Sequence, residues 1–157
     1  MPVLLYRIDD RLVHGQVVIG WGKPKDIGLI ALVDDAVAES EWEQELYRMG
    51  VPPEIALECC TLPQAVTRAA GWRADVRNSI VLTAEVATMV ALCRATPPVE
   101  RVVLGGLHHK PGRSARLPYV YLSEDELRLL DGLAAEGVTI DAQDLPTSAP
   151  VPLSELR

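Results

Sequence analysis

Val3-Leu4-Leu5-Tyr6-Arg7-Ile8-Asp9-Asp10-Arg11-Leu12-Val13-His14-Gly15-Gln16-Val17 decides how this chain is read. Residues 3–8 are apolar and β-branched enough for a short buried strand. The run stops at Asp9, and the loop 9–15 supplies acids, an arginine, a histidine and a glycine before a helical pattern begins. A strand that feeds a charged loop and then a helix is the opening of an α/β unit.

The same alternation continues through the chain. Strand candidates are 3–8, 27–33, 55–60, 79–83, 101–104, 119–122 and 138–142, with helix candidates 15–22, 36–49, 62–70, 84–95 and 124–136 between them. Several strands are almost wholly apolar, as in a sheet covered on both faces. Ser123 and Glu126 form a capping box ahead of an apolar stripe, and Gly137 stops that helix. The expected fold is therefore α/β: a single-domain three-layer sandwich with an open, mainly parallel sheet of about seven strands and helices on both faces. The last strand is expected to return antiparallel at an edge. One domain spans 1–157, with 144–157 as a proline-containing C-terminal arm.

Composition narrows the function. A formal charge of −7 argues against nucleic acid as partner. No stretch approaches the ~18 apolar residues of a membrane span, so the chain is expected to be cytoplasmic and at most peripheral to a membrane. The three cysteines, without a C-x-x-C pair, suggest a reducing compartment and no zinc ribbon. Adjacent Cys59 and Cys60 read as small apolar fillers, and Trp21, Trp42 and Trp72 as core or interface residues. Adjacent His108 and His109 point apart in an extended chain, so no metal site is expected.

In open α/β sheets ligands bind beyond the carboxyl ends of the strands. That rule selects loops 9–15, 34–35, 83–85 and 105–113, and the first and last contain His14, His108 and His109. Arginine donors hold phosphate oxygens, and a carboxylate can fix one imidazole nitrogen while the other attacks. Phosphoryl transfer through His14 follows. Asp10 is assigned to orient His14, with Asp9 as competitor, and Arg11 to clamp the phosphate. Arg7 and the amides of Gly15, Gln16 and Val17 are expected to bind phosphate at the helix start. Gly106, His108 and Lys110 are candidate contacts from the second loop. Individually these residues have plainer uses, as surface ion pairs, turn residues or solvated charges; their concentration at one strand–helix junction favours a site.

The segment 7–17 closely resembles the active-site segment of IIB components of mannose/sorbose-class (mannose-fructose-sorbose) sugar phosphotransferase systems (PTS). Val33-Asp34-Asp35, Val51-Pro52-Pro53, Gly105-Gly106-Leu107-His108 with Gly112, and Pro118-Tyr119-Val120-Tyr121-Leu122 support the resemblance, which extends over almost the whole chain. It implies a cytoplasmic phosphocarrier, a protein-histidine and sugar phosphotransferase component. Such a protein accepts a phosphoryl group from phospho-IIA on His14 Nδ1 and passes it to a sugar entering through membrane IIC/IID partners. No metal or organic cofactor is implied. A regulatory phosphoacceptor of the same family, uncoupled from sugar transport, is the alternative, and a homo-oligomer is left open. The chain lacks G-x-G-x-x-G after its first strand and any G-x-x-x-x-G-K-[ST], which disfavours a nucleotide-binding module.

Overall fold

The computed structural model describes residues 3–157. A seven-stranded sheet of order β3-β2-β4-β1-β5-β8-β9 is built from β1 Val3–Ile8, β2 Ile27–Val33, β3 Ala56–Cys60, β4 Asn78–Thr83, β5 Arg101–Leu104, β8 Thr139–Ala142 and β9 Val151–Pro152. All pairings are parallel except β8 with β9. The expected α/β architecture is present, and its last strand is antiparallel, but that strand is β9; the strand expected last, at 138–142, pairs parallel with β5. β9 lies inside the segment read as an arm, and a proline is tolerated there because β9 is an edge. The strand expected at 119–122 is outside the main sheet. Its Val120–Leu122 portion (β7) pairs antiparallel with β6, Ser114–Leu117. Backbone bonds between Leu107 and Tyr119 (2.9 Å) and between Tyr121 and Leu107 (2.8 Å) draw this hairpin onto the loop after β5.

Side-chain alternation along β2 explains the three layers. Ile30 and Leu32 face a core with Leu5, Val17, Val18, Trp21, Ile80 and Leu82. Leu29, Ala31 and Val33 face the other way, toward Ala65, Ala69 and Trp72 of α3 (Leu62–Ala74). A third cluster joins β5 and β8 to α4 (Val86–Ala95) and α5 (Glu124–Ala135), through Met89, Leu127 and Leu130. Leu153 and Leu156 enter it from the C-terminal segment.

The helix expected at 36–49 divides into α1 (Asp35–Ala38) and α2 (Glu41–Met49). The break is capping chemistry: Asp34 accepts the Val37 amide at 3.0 Å, and Ser40 restarts the helix by accepting the Glu43 amide at 3.2 Å. The first helical pattern, 15–22, is a π-helix over Gln16–Gly22. Such wide turns cluster at functional sites.

Candidate phosphoryl-acceptor site

The loop 9–15 leaves the C-terminal end of β1, the middle strand of the sheet. Its path is fixed at both edges. The Asp9 amide donates to Thr83 O at 2.9 Å and the Asp10 amide to Gly106 O at 2.9 Å. Between them Leu12 takes the left-handed conformation, φ +59°, which a branched side chain adopts only when its surroundings insist. The buried Leu12 side chain supplies that constraint by anchoring in the core beneath the π-helix.

Asp9 is the hub. It is fully buried, and its carboxylate accepts from Arg11 Nε (3.0 Å), Arg11 Nη2 (2.9 Å), Arg7 Nη2 (3.3 Å) and the Gly106 amide (3.2 Å). His14 Nε2 lies 3.2 Å from Asp9 Oδ2, at ion-pair distance though off the line of a well-directed hydrogen bond. Burial alone would raise the Asp9 pKa. The nearby His14 ring, the bonds from Arg11 and the charge of Arg7 outweigh it and hold the carboxyl well below the usual range. Asp9 is therefore a fixed anion.

Its position defines the histidine. The Gln16 amide lies 3.3 Å from His14 Nδ1 and can only donate. Nδ1 therefore carries the lone pair, and the ring proton sits on Nε2 toward Asp9. The same residue holds the arginine: Gln16 Oε1 accepts from Arg11 Nη2 at 2.8 Å. The Arg11 side chain is 32% exposed, and these bonds engage Nε and Nη2, leaving the Nη1 end for an anion.

Four expected site residues are placed differently from the sequence reading. Asp10 does not orient His14. It accepts from the His108 amide at 2.7 Å, lies 2.5 Å from His108 Nδ1 and stands 3.6 Å from Arg113 Nη1. The cause is alternation: Arg7 and Asp9 share one side of the chain, and Asp10 turns to the other. Arg7 cannot reach a phosphate. It is fully buried, with Nη1 on Gln143 O (2.8 Å), Nη2 also on Asp144 O (3.1 Å) and the guanidinium 5.0 Å from the Trp21 ring centre. The Val17 amide donates to His14 O at 3.1 Å, so it is taken within the loop. Lys110 is exposed, and no bond joins it to Asp9, Arg11 or His14 among the described residues. Gly15, in contrast, has open space where a Cβ would point, which leaves the approach beside His14 clear.

The second loop works by packing. A Cβ at Gly105 would strike the Arg7 guanidinium, and one at Gly106 would fall 2.7 Å from Arg11 Nε. Only glycines allow this strand end to close over two arginines. His108 closes the loop on Asp10, and Arg113 pins it to α5 through Glu126 (2.9 and 2.7 Å). Glu126 also completes the α5 capping box. Sequence reasoning gave no individual site role to Gly105 or Arg113, read Glu126 only as a helix-capping residue, and gave no role to the carbonyls of Gln143 and Asp144. The pair Gly105-Gly106 was the available signal; backbone carbonyls from the far end of the chain leave none. Among the described residues no group of three or more His, Cys, Asp and Glu side chains could hold a metal ion. Cys60 is buried, and burial pushes its thiol up to about 11, as suits a packing residue.

A charged loop at the carboxyl edge of a parallel sheet is where open α/β folds bind their ligands, and comparison with known proteins shows this chain to be a phosphotransferase component of a sugar-uptake system. The chain belongs to the sorbose subfamily of PTS IIB components: the family model described as "PTS system sorbose subfamily IIB component" matches residues 3–156. It is 30% identical over 158 residues to the N-acetylgalactosamine-specific phosphotransferase enzyme IIB component 2 of Escherichia coli K12, covering 99% of both chains. It is 26% identical to the sorbose-specific EIIB component of Lacticaseibacillus casei, covering 94% of this chain and 90% of that one. The solved IIBSor domain of the sorbose permease from Klebsiella pneumoniae superimposes with a TM-score of 0.90 at 25% identity, covering 99% of this chain and 96% of that one. No helix of the described residues is long and apolar enough to cross a membrane.

Proposed function

We propose that His14 accepts a phosphoryl group from a phosphorylated IIA protein and passes it to a sugar during uptake through IIC/IID, on the cytoplasmic side of the membrane. The observation that carries this reading is the polarity of the His14 ring: Nε2 faces the buried Asp9 anion, and Nδ1 carries the lone pair, met by the amide of Gln16, whose side chain holds Arg11. In the first step a P–N bond forms at Nδ1 as the donor's P–N bond breaks. The phosphoryl group takes the place of the Gln16 amide at Nδ1, and the positive charge that develops on the ring is stabilised by Asp9. Arg11, through Nη1, neutralises the incoming oxygens. In the second step the P–N bond breaks, a P–O bond forms to a sugar hydroxyl, and the hydroxyl gives up its proton. Both transfers start from an activated phosphoryl group with a loose transition state, so positioning and charge suffice. The chemistry calls for no metal or organic cofactor on this chain.

The test is phosphoryl transfer from a phosphorylated mannose-class IIA protein, with the modified residue mapped by mass spectrometry under non-acidic conditions. Acid-labile phosphate on His14, absent in His14→Ala, is expected. Labelling of the His14→Ala protein at the wild-type rate would end the proposal.

A further inference from the structure

Helix α2 is inside out. None of its residues is buried, and Trp42, Leu46 and Met49 are 72%, 48% and 82% exposed. Their spacing, i, i+4 and i+7, lines them along one face. The opposite face is polar and does the anchoring. Gln44 Nε2 donates to the carbonyls of Val37 (3.1 Å) and Ala38 (3.0 Å), while Tyr47 packs on the core. An isolated exposed residue such as Val76 needs no explanation. A stripe that contains a tryptophan, on a helix that has a sheet to lie against, marks an interaction surface.

The surrounding charges choose the occupant. Glu45 borders the stripe on one side and Glu43 on the other, and Glu39 and Glu41 lie at its N-terminal end. The only cation on α2 is Arg48, which turns toward Gln44 Oε1 at 3.5 Å. Antiparallel pairing with a second copy would set Glu45 against Glu45 in a chain of net charge −7, and an anionic lipid surface would be repelled in the same way. The complement is an apolar helix rimmed by lysine and arginine. Cytoplasmic segments that border membrane helices have that composition. Placement agrees: α1 starts directly after β2, so the Trp42 end of the stripe lies toward the sheet edge that carries His14.

We propose that the Trp42–Leu46–Met49 face of α2 docks a basic amphipathic segment of the membrane permease whose sugar receives the phosphoryl group. This rests on the functional reading above. The test uses the double variant Trp42→Ser, Leu46→Ser, whose side chains are exposed and, among the described residues, make no bond to Asp9, Arg11 or His14. Two transfers are followed: from phospho-IIA to the chain, and from phosphoenolpyruvate through the chain to sugar on membranes carrying sorbose-class IIC and IID. The expected result is an unchanged first transfer and a second whose KM for this chain rises at least about tenfold, the scale of losing an interface tryptophan. Acrylamide quenching gives an independent readout. Trp21 and Trp72 are only 2% and 4% exposed, so quenching reports Trp42. The permease membranes should shield it, and protein-free vesicles of the same lipid should not. An unchanged KM overturns the proposal, as does a defect confined to the first transfer, which would make this face the donor's landing site. Shielding by lipid alone also overturns it. If the wild-type chain carries no phosphoryl group, the functional reading fails instead, and the quenching experiment still decides docking.

Discussion

Replacing Asp9 by asparagine keeps the shape of the side chain and removes its charge. The consequence falls first on Arg7, whose side chain is fully buried against Asp9, both at 0% exposure. Solvent cannot screen that pair. Breaking a buried ion pair from one side costs about 3–5 kcal/mol, because the remaining charge is left uncompensated. The carbonyls of Gln143 and Asp144 still receive Arg7, which favours the lower end. At about 3 kcal/mol, a chain of this size should lose roughly 6–12 °C in Tm. Urea unfolding followed by the buried tryptophans measures it. The double variant Arg7→Met, Asp9→Asn removes both charges, so its loss should fall short of the sum of the single losses by at least about 1 kcal/mol. The pH dependence has a definite sign. Asp9 is depressed in the folded state, so its contribution is complete above the unfolded pKa of about 3.9 and is lost as pH falls toward the folded value. The gap between wild type and Asp9→Asn should be level from neutrality to about pH 5 and smaller by about 1 kcal/mol at pH 3. Additive single losses, or a gap that does not change in acid, would refute the reasoning.

The loop residues separate by role in the same way. Arg11→Ala should slow phosphoryl transfer to His14 by ~100–1000-fold in rapid-quench measurements, the scale of a single electrostatic stabiliser; an unchanged rate would confine Arg11 to structure. Asp10→Asn and His108→Ala break the closure of the second loop without touching His14. Each should reduce that rate less than about tenfold while speeding amide exchange in 105–113, and a loss as deep as that of Arg11→Ala would contradict the placement of Asp10.

What the sequence made legible follows physical range. Strands such as 27–33 and 79–83 were readable because burial on both faces demands continuous apolar runs. The caps at Ser123 and Gly137 were readable because their chemistry is local. The break between α1 and α2 was missed although Ser40 and Glu43 stand there, since the apolar pattern runs through it. Val151–Pro152 was passed over as a strand because two residues with a proline carry no period; only pairing with β8 makes them one. In the loop, residue types sufficed to collect the charges and could not assign Asp9 over Asp10. That choice depends on whether the β1 alternation continues past Ile8, and the backbone bonds to Thr83 and Gly106 decide it.

The two arginines differ most from a reading by residue type, and the difference has a chemical consequence. Both bind Asp9, yet Arg7 is enclosed by two carbonyls and the Trp21 ring, whereas Arg11 is partly exposed and shares its Nη2 with Gln16. Arg7 is therefore a permanent counter-charge that keeps Asp9 ionised and in place, anchored by the C-terminal segment. Arg11 can yield. If a phosphoryl group reaches Nδ1 as proposed, the ring gains positive charge next to Asp9, so the carboxylate can release part of its hold on Arg11 without being left unpaired. That exchange would turn Arg11 toward the phosphate as the imidazole comes to need Asp9 most. A site with a single arginine could not do this: the cation that fixes the anion would also have to leave it.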